Sequence, residues 1–267
     1  MKFEVNATCS GCGKCVKDCP MWLLKLAEGR PVVRTGKEDG CIDCRHCVAV
    51  CPRGAITLNG IGADDCLPTE LLPVPPPNEV ANLLRTRRSI RQFAETDIPR
   101  AEIEDLLETL KAVPTGCNIR HLVFKVIDSR EKLAKYRQRM MEMLVEKVES
   151  LPDTLRNIVR SWQKSPTSDA FFRGAPHVLI VVGDAKAVTP QVDCDAACAY
   201  FDLLAQAHGI GTTWFGFLTH IVEAVPETAD LFGIPRGAPF HAMLFGDPVV
   251  DYPRCPTRTD GARIEWL

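Results

Sequence analysis

Cysteine is the residue type in this sequence with the clearest chemical capacity. Eight of the thirteen cysteines lie in two short arrays, which run from Cys9 to Cys19 and from Cys41 to Cys51. Each array has two, two and three residues between successive cysteines and ends in a proline, and the second repeats the first 32 residues later. Such a repeat predicts two similar sites related by pseudo-two-fold symmetry.

The spacing within each array suits a cubane iron–sulfur cluster, which needs four thiolates around one small body. Three thiolates come from the C-x2-C-x2-C loop, and in proteins with two such arrays the cysteine before the proline ligates the other cluster. The sequence therefore predicts two crossed ligand sets. These are Cys9, Cys12, Cys15 and Cys51 for one cluster, and Cys41, Cys44, Cys47 and Cys19 for the other.

Zinc is the alternative occupant, because it also takes four thiolates with C-x2-C spacing. The complete set of eight cysteines with both terminal prolines favours clusters. Among the remaining cysteines, Cys194 and Cys198 are four residues apart, and we interpret them as small core residues on one helix face rather than as a metal site.

Residues 1 to about 60 resemble the bacterial-type ferredoxins that bind two [4Fe–4S] clusters, and the cysteine pattern matches that family throughout. The resemblance implies a small ferredoxin-like domain that transfers electrons.

A second group of residues with chemical capacity lies between Arg87 and Phe93, in the run RRSIRQF. Its guanidinium groups and its serine hydroxyl fall within one turn, and arginine binds phosphate through two parallel hydrogen bonds. Alone, the run is more typical of a solvated basic helix face. Three later motifs change that balance, namely PTGCN at 114–118, GIGTTWFG at 209–216 and GDP at 246–248.

In this order and spacing the four motifs resemble the nitroreductase family of FMN enzymes, from about residue 78 to the end. The resemblance implies a mixed β-sheet packed by helices, a homodimer, and an FMN site shared between subunits. It places Arg87, Arg88, Ser89 and Arg91 near the FMN phosphate and ribityl chain, with Arg254 and Arg258 assisting. It places Pro114, Thr115, Gly116 and Asn118 in the site from the second subunit, and the backbone of Gly211, Thr212 and Thr213 against the isoalloxazine ring.

The run after Asn118 departs from the family pattern, which usually continues with a polar residue, proline and tryptophan. Here Arg120 and His121 follow. Arg120 either places a positive charge by the ring, which would favour the reduced anionic flavin, or pairs with a surface carboxylate. His121 and His220 are interpreted as structural histidines, which are commoner than catalytic ones.

Composition excludes several classes of partner. The sequence has 32 Lys and Arg residues and 34 Asp and Glu residues, so no net basic field is available for nucleic acid or for an anionic membrane surface. The longest apolar runs, such as Val178–Val182, are far short of the roughly 20 residues that span a bilayer. The first ten residues lack the apolar stretch of a secretory signal, so we expect a cytoplasmic protein with reduced thiols.

The domain organisation follows from the prolines. Residues 61–78 are rich in proline, which predicts a semi-rigid linker between a ferredoxin domain at 1–60 and a flavin domain at 79–267.

In the larger domain, apolar periodicity predicts helices, and the runs at 122–127, 177–182 and 241–245 predict strands. Two further helical segments, at 133–151 and 155–162, resemble an inserted pair. The fold class is therefore expected to be α+β.

These features predict an iron–sulfur flavoprotein that takes electrons from a donor protein or from NAD(P)H. The electrons pass through two [4Fe–4S] clusters to FMN and then to a small organic acceptor, such as a nitro, quinone or enone compound. The family resemblance implies no catalytic acid or base, since the flavin carries the chemistry. One alternative is a non-catalytic carrier that links protein redox partners, and another is an enzyme that remodels the bound flavin itself.

Overall fold

The computed structural model describes residues 1–167, 169–256 and 259–267. The chain forms two compact units. The smaller comprises Met1–Pro75 together with Cys117–Ile119, and the larger comprises Pro76–Gly116 together with Arg120–Leu267. Arg258, a predicted phosphate ligand, lies outside the described residues.

The smaller unit contains one helical turn for each cysteine array and two pairs of strands. The helical turns are α1 (Lys14–Lys17) and α2 (His46–Ala49), and each begins between the second and third cysteine of its array. The strands form two antiparallel pairs. They are β1 (Phe3–Val5) with β4 (Ile56–Leu58), and β2 (Leu24–Ala27) with β3 (Arg30–Val33).

The apolar core of this unit is small and includes two cysteines of the arrays. Leu24, Ile56 and Leu58 are almost fully buried and pack with Cys15 and Cys47. A core of this size stabilises a short chain only marginally, and bound metal usually supplements it.

The larger unit is organised around a four-stranded sheet. Its order is β5 (Val123–Ile127), β6 (His177–Val182), β8 (Phe240–Gly246) and β7 (Gly211–Trp214), and each of these pairs is antiparallel. The strands predicted from the apolar runs are thus confirmed. Among the described residues, parallel pairing occurs at the isolated bridge between Ser89 and Thr212, so the mixed character expected of the sheet is confined to that bridge.

Helices cover both faces of this sheet. Val178 and Ile180 of β6 pack into one core, whereas Leu179 and Val181 face the other. Every residue of β6 is buried, which explains its unbroken apolar run. The helices are α3 (Pro77–Thr86), α4 (Arg100–Thr109), α5 (Arg130–Glu146), α6 (Asp153–Lys164), α7 (Pro190–Ala207), α8 (Gly216–Ala224) and α9 (Thr228–Leu231).

The α+β class is confirmed, and the predicted inserted helical pair corresponds to α5 and α6. The segment 61–78 contains two short 3₁₀ turns, and α3 starts within it at Pro77, because proline is compatible with the first turn of a helix. Residues 264–267, Ile-Glu-Trp-Leu, have a composition typical of a strand but form none, and Trp266 is 91% exposed. A strand requires a neighbouring strand to pair with, and none lies beside this segment among the described residues.

Candidate cofactor-binding sites

One cavity of the smaller unit is lined by the first predicted ligand set. Cys9, Cys12, Cys15 and Cys51 surround about 320 Å³ of space that includes its open mouth. Gly11 has a φ of 68°, and a Cβ there would overlap the carbonyl oxygen of Gly29, so the loop between Cys9 and Cys12 requires glycine. Cys12 is exposed, and Lys14 and Arg53 also line the cavity.

A second cavity is lined by the other predicted ligand set. Cys19, Cys41, Cys44 and Cys47 surround about 380 Å³, again with the mouth included. Its lining includes more apolar side chains than that of the first cavity. These are Met1, Phe3, Pro20, Met21, Leu23, Leu24, Ile42 and Leu58.

Each cavity therefore combines three cysteines of one array with the last cysteine of the other. The two last cysteines have equivalent surroundings: the Leu23 backbone N–H lies 3.5 Å from Cys19 Sγ, and the Ala55 backbone N–H lies 3.2 Å from Cys51 Sγ. Backbone N–H donors of this kind stabilise a thiolate and tune the potential of a cluster that it ligates.

Burial and hydrogen bonding shift the pKa values of these thiols in different directions. It raises the pKa of the Cys47 thiol to about 11 and also raises the pKa of Cys15, whereas a backbone hydrogen bond at Lys14 lowers the pKa of Cys12. The buried thiols need a nearby cation to become thiolates. Within the described residues, no three His, Cys, Asp or Glu side chains converge tightly enough for a single metal ion.

In the larger unit, the run Arg87–Phe93, called the arginine segment below, contacts strand β7. The Ile90 backbone N–H donates to the carbonyl oxygen of Thr212 at 2.8 Å. Arg87 Nη1 lies 3.3 Å from Asp202 Oδ2, and the Thr212 hydroxyl donates to Asp202 Oδ1. The buried carboxylate of α7 thus connects two of the four motifs.

Gly211 is explained by packing within the chain. A Cβ at this position would lie 2.7 Å from Cγ1 of Ile90, closer than side-chain atoms tolerate. The arginine segment can therefore lie against β7 because position 211 lacks a side chain. The role of Gly211, Thr212 and Thr213 against a flavin ring stays a prediction.

The GDP motif, Gly246–Pro248, lies beside the end of the arginine segment. The Ala94 backbone N–H donates to the carbonyl oxygen of Asp247 at 2.8 Å, and Phe93 forms a β-bridge with Pro248. Beyond it, the Arg88 guanidinium carbon lies 5.8 Å from the centre of the Tyr252 ring, a cation–π contact. Arg254 is exposed in the same tail.

The PTGCN motif, at 114–118, contacts the N-terminal end of α7, away from Asp202. The Gly116 backbone N–H donates to Asp193 Oδ1 at 2.9 Å, and a Cβ at Gly116 would overlap the Thr189 hydroxyl. Asp193 precedes Asp202 by nine residues, which is about 14 Å along a helix. Within one chain, this motif is therefore separated from the arginine segment.

The motif crosses between the two units after Gly116, where Cys117 and Asn118 adopt left-handed backbone conformations with φ near 50°. In the smaller unit, the Asn118 amide donates to the carbonyl oxygen of Ile42 at 3.0 Å. Ile42 follows the first cysteine of the second array.

The histidines and isolated cysteines singled out from the sequence have structural surroundings. His121 pairs with Asp184 and His220 pairs with Glu223, both at the surface. Cys194 is fully buried in the core beside Cys198, and burial raises its pKa to about 12, which agrees with the core interpretation. Arg120 is exposed, and its backbone N–H donates to the Thr115 hydroxyl.

Sequence reasoning missed Asp193, Asp202 and Tyr252. A signal for Asp202 was present, since it follows Cys198 by four residues and so shares the apolar face of a predicted helix. A carboxylate on a buried face requires a partner. No comparable signal marks Tyr252.

Among the described residues, no helix has the length and apolar character needed to cross a membrane.

Two family models match separate parts of the chain. Residues 84–247 match the Nitroreductase family, and residues 8–56 match the 4Fe-4S dicluster domain. A ferredoxin of Methanothermococcus thermolithotrophicus is 44% identical over 52 residues, which cover 83% of that protein and 19% of this chain.

Two further proteins each resemble part of the chain. The CLA biosynthesis enone reductase of Lactiplantibacillus plantarum is 31% identical over 74 residues, or 27% of this chain, and the chain spans about a third of its length (34%). A crystal structure of an FMN-bound nitroreductase from Bacteroides fragilis superposes with a TM-score of 0.59 at 21% identity, over 71% of this chain and 100% of that one. At this identity the superposition shows a shared fold. The chain therefore belongs to the nitroreductase family and joins its oxidoreductase domain to a ferredoxin domain of the 4Fe-4S dicluster type.

Proposed function

We propose that the protein is an iron–sulfur flavoenzyme that passes electrons from an external donor through two [4Fe–4S] clusters and FMN to a small organic acceptor. The observation that carries this proposal is the crossed pair of cysteine cavities in a chain of the nitroreductase family. Each cavity has the four thiolates that one cubane requires. The domain limits proposed are 1–60 for the ferredoxin domain, 61–78 for the linker and 79–267 for the flavin domain.

The residues around Arg87 fit a flavin phosphate. The Arg87 side chain is 29% exposed and is held on one side by Asp202, with Ser89 two residues away. Guanidinium forks bind phosphate oxygens through parallel hydrogen bonds. We assign Arg87, Arg88, Ser89 and Arg91, with Arg254 and Arg258, to the phosphate and ribityl chain, and Gly211, Thr212 and Thr213 to the ring. FMN, when bound, supplies hydride or single-electron transfer.

The remaining predicted contacts are proposed to come from a second copy of the chain. These are Pro114, Thr115, Gly116 and Asn118. The distance of about 14 Å along α7 between Asp193 and Asp202 supports this proposal, because it keeps the two motifs apart within one chain. The proposed assembly is a homodimer with one FMN site for each chain.

The acceptor class proposed is a nitro, quinone or enone compound, and the partial similarity to an enone reductase supports the enone. Either a reduced protein carrier or NAD(P)H is proposed as the donor. The chain's contribution is to bind and orient the flavin and to hold the clusters. No acid or base among its side chains is assigned to the reaction.

The test is an anaerobic steady-state assay of full-length protein with a panel of nitroaromatics, quinones and enones. We expect at least one class to be reduced with turnover that depends on flavin and on intact cluster ligands. Cys44→Ser removes a predicted ligand, and Cys66→Ser is the matched control, because Cys66 lies outside both arrays. Donor-driven turnover should fall in the first variant and persist in the second.

Two outcomes would contradict the proposal. If every small acceptor fails while a reduced protein carrier is reoxidised, the protein is a non-catalytic carrier. If FMN itself is consumed with oxygen alone, the flavin is the substrate.

A further inference from the structure

Asp202 is a carboxylate in an apolar environment. It lies on α7 next to Phe201, and Cys198 and Ala205 on the same helix are fully buried. The Asp202 side chain is 7% exposed. A carboxylate with so little access to water is stable only when its oxygens are paired.

Both oxygens of Asp202 have partners from outside the helix. Oδ1 accepts the hydroxyl hydrogen of Thr212, and Oδ2 lies 3.3 Å from Arg87 Nη1. The Ile90 N–H also donates to the Thr212 carbonyl oxygen. The segment containing Arg87 is therefore bonded to β7 directly through Ile90 and indirectly through Asp202.

Arg87 retains binding capacity after pairing with Asp202. A guanidinium group has five N–H donors in a fixed plane. Within the described part of the chain, Asp202 is the acceptor that faces this group, and the Arg87 side chain remains 29% exposed. The other nitrogens are therefore available to an anion that approaches from the solvent side.

We infer that Asp202 is a positioning residue, which fixes the plane of the Arg87 guanidinium so that its free N–H groups face the phosphate monoester of FMN. This rests on the proposed FMN site. A fixed fork binds more tightly than a mobile one, because less side-chain freedom is lost on binding. The flavin ring and ribityl chain do not contact Asp202 in this assignment, so its effect is confined to the phosphate.

The test compares FMN with riboflavin, which lacks the phosphate, in titrations of the full-length protein stripped of flavin. Asp202→Asn preserves shape and removes the charge, and it should weaken FMN binding about tenfold while riboflavin affinity stays unchanged. In an Arg87→Ala background the same substitution should have no further effect on FMN, because Asp202 acts through Arg87.

Asp195→Asn is the matched control. Asp195 lies on the same helix and pairs with His241, and its substitution should leave both affinities unchanged. If Asp202→Asn does not fold, Asp202→Ser provides a second variant. Its smaller hydroxyl can still accept from Thr212 but carries no charge, and it should weaken FMN binding without affecting riboflavin.

Equal losses of FMN and riboflavin in either variant would reduce Asp202 to a structural residue and overturn the assignment. Tighter FMN binding in Asp202→Asn would also overturn it, since the carboxylate would then compete with the phosphate. Failure of the proposed FMN site itself looks different, because Arg87→Ala would then leave FMN affinity unchanged.

Discussion

The backbone N–H of Ala55 donates to Sγ of Cys51 across 3.2 Å. Cys51 belongs to the second array, yet it lines the cavity of the first. Leu23 bonds to Cys19 in the same way in the other cavity. Each array is thus followed by a backbone donor to its own last cysteine, and that cysteine lines the cavity of the other array. A substitution in one array should therefore affect the cluster of the other.

Cys19→Ser should therefore damage the cluster whose other ligands are Cys41, Cys44 and Cys47, and it should leave the Cys9 cluster largely intact. Anaerobically prepared wild-type protein should hold about eight irons per chain, because two cubanes contain four irons each. Iron and sulfide analysis with electron paramagnetic resonance of the reduced protein measures both. Selective loss of the Cys9 cluster in Cys19→Ser would show that the ligation is not crossed.

Arg87→Ala and Arg258→Ala should each weaken FMN retention about 10- to 100-fold, since a charge-assisted bond to phosphate contributes roughly 1.5–3 kcal/mol. Flavin released on dilution of the full-length protein is the measurement. Arg139→Ala is the control, because Arg139 lies on α5 and pairs with Glu142 at the surface. Unchanged retention in both test variants would mean that these arginines are only solvated surface residues.

Gly211→Ala should destabilise the larger unit by about 1–3 kcal/mol, because the added Cβ would lie 2.7 Å from Ile90 Cγ1 and the segment would have to move. Gly216→Ala is the matched control, since a Cβ there has no neighbour within 4 Å. Thermal unfolding of the two variants gives the comparison. Equal transition temperatures would show that the close approach of Ile90 to β7 is absent in solution.

His177 should make the larger unit less stable in acid. The Ile98 backbone N–H donates to its Nε2 at 2.8 Å, and burial lowers the pKa of this histidine despite the nearby carboxylates of Asp97, Asp128 and Asp247. Below about pH 6.5 the unfolded chain binds a proton that the native state does not bind. Stability should therefore fall as the pH falls, by up to roughly 1.4 kcal/mol per pH unit from this group, and it should not depend on this group above pH 6.5.

The pH effect is isolated by comparing variants between pH 5.5 and 8. His177→Gln should be less stable than wild type at pH 8, and the difference should narrow in acid because glutamine does not titrate. His220→Gln, at an exposed position, should follow the wild-type dependence. A His177→Gln difference that is constant with pH would contradict the assignment of a neutral buried histidine.

Deletion of residues 250–267 should cost both dimerisation and FMN. The tail holds Arg254 and Arg258 and supplies the Tyr252 ring that contacts Arg88, and its Trp266 is 91% exposed in the single chain. Such apolar surface is expected to be buried on a partner. Sedimentation of the truncated protein tests this. A double substitution of Trp266 and Leu267 to serine retains both arginines and should weaken the dimer first. A full-length monomer that keeps its flavin at micromolar concentration would overturn the interface.

The comparison of sequence with structure shows which signals are local. The spacing within residues 9–19 and 41–51, with the crossing typical of such motifs, predicted two sets of four cysteines, and each set lines one cavity. Their ligation of clusters stays a prediction. The buried strand β6 was equally clear, because both of its faces are apolar. The cysteine spacing within an array and the apolar run of β6 are both patterns of residues that are close in the chain.

The connections between motifs depend on distant residues, and the sequence does not reveal them. Asp202 joins Arg87 to Thr212 across 115 and 10 positions of the chain, and this link is apparent only from the positions of the three side chains in space. The antiparallel pairing of β7 with β8 likewise follows from tertiary packing rather than from the composition of either strand. Residues 264–267 have strand-like composition, but among the described residues they have no neighbouring strand to pair with.

An anaerobic reductive titration of the full-length protein tests the central claim most directly, because it counts the electrons that the chain accepts. Two one-electron clusters and one two-electron flavin predict an uptake of about four electrons per chain, with bleaching of both the flavin and the iron–sulfur absorbance. An uptake of about two electrons, with zinc in the cysteine cavities and bleaching of the flavin alone, would contradict the account.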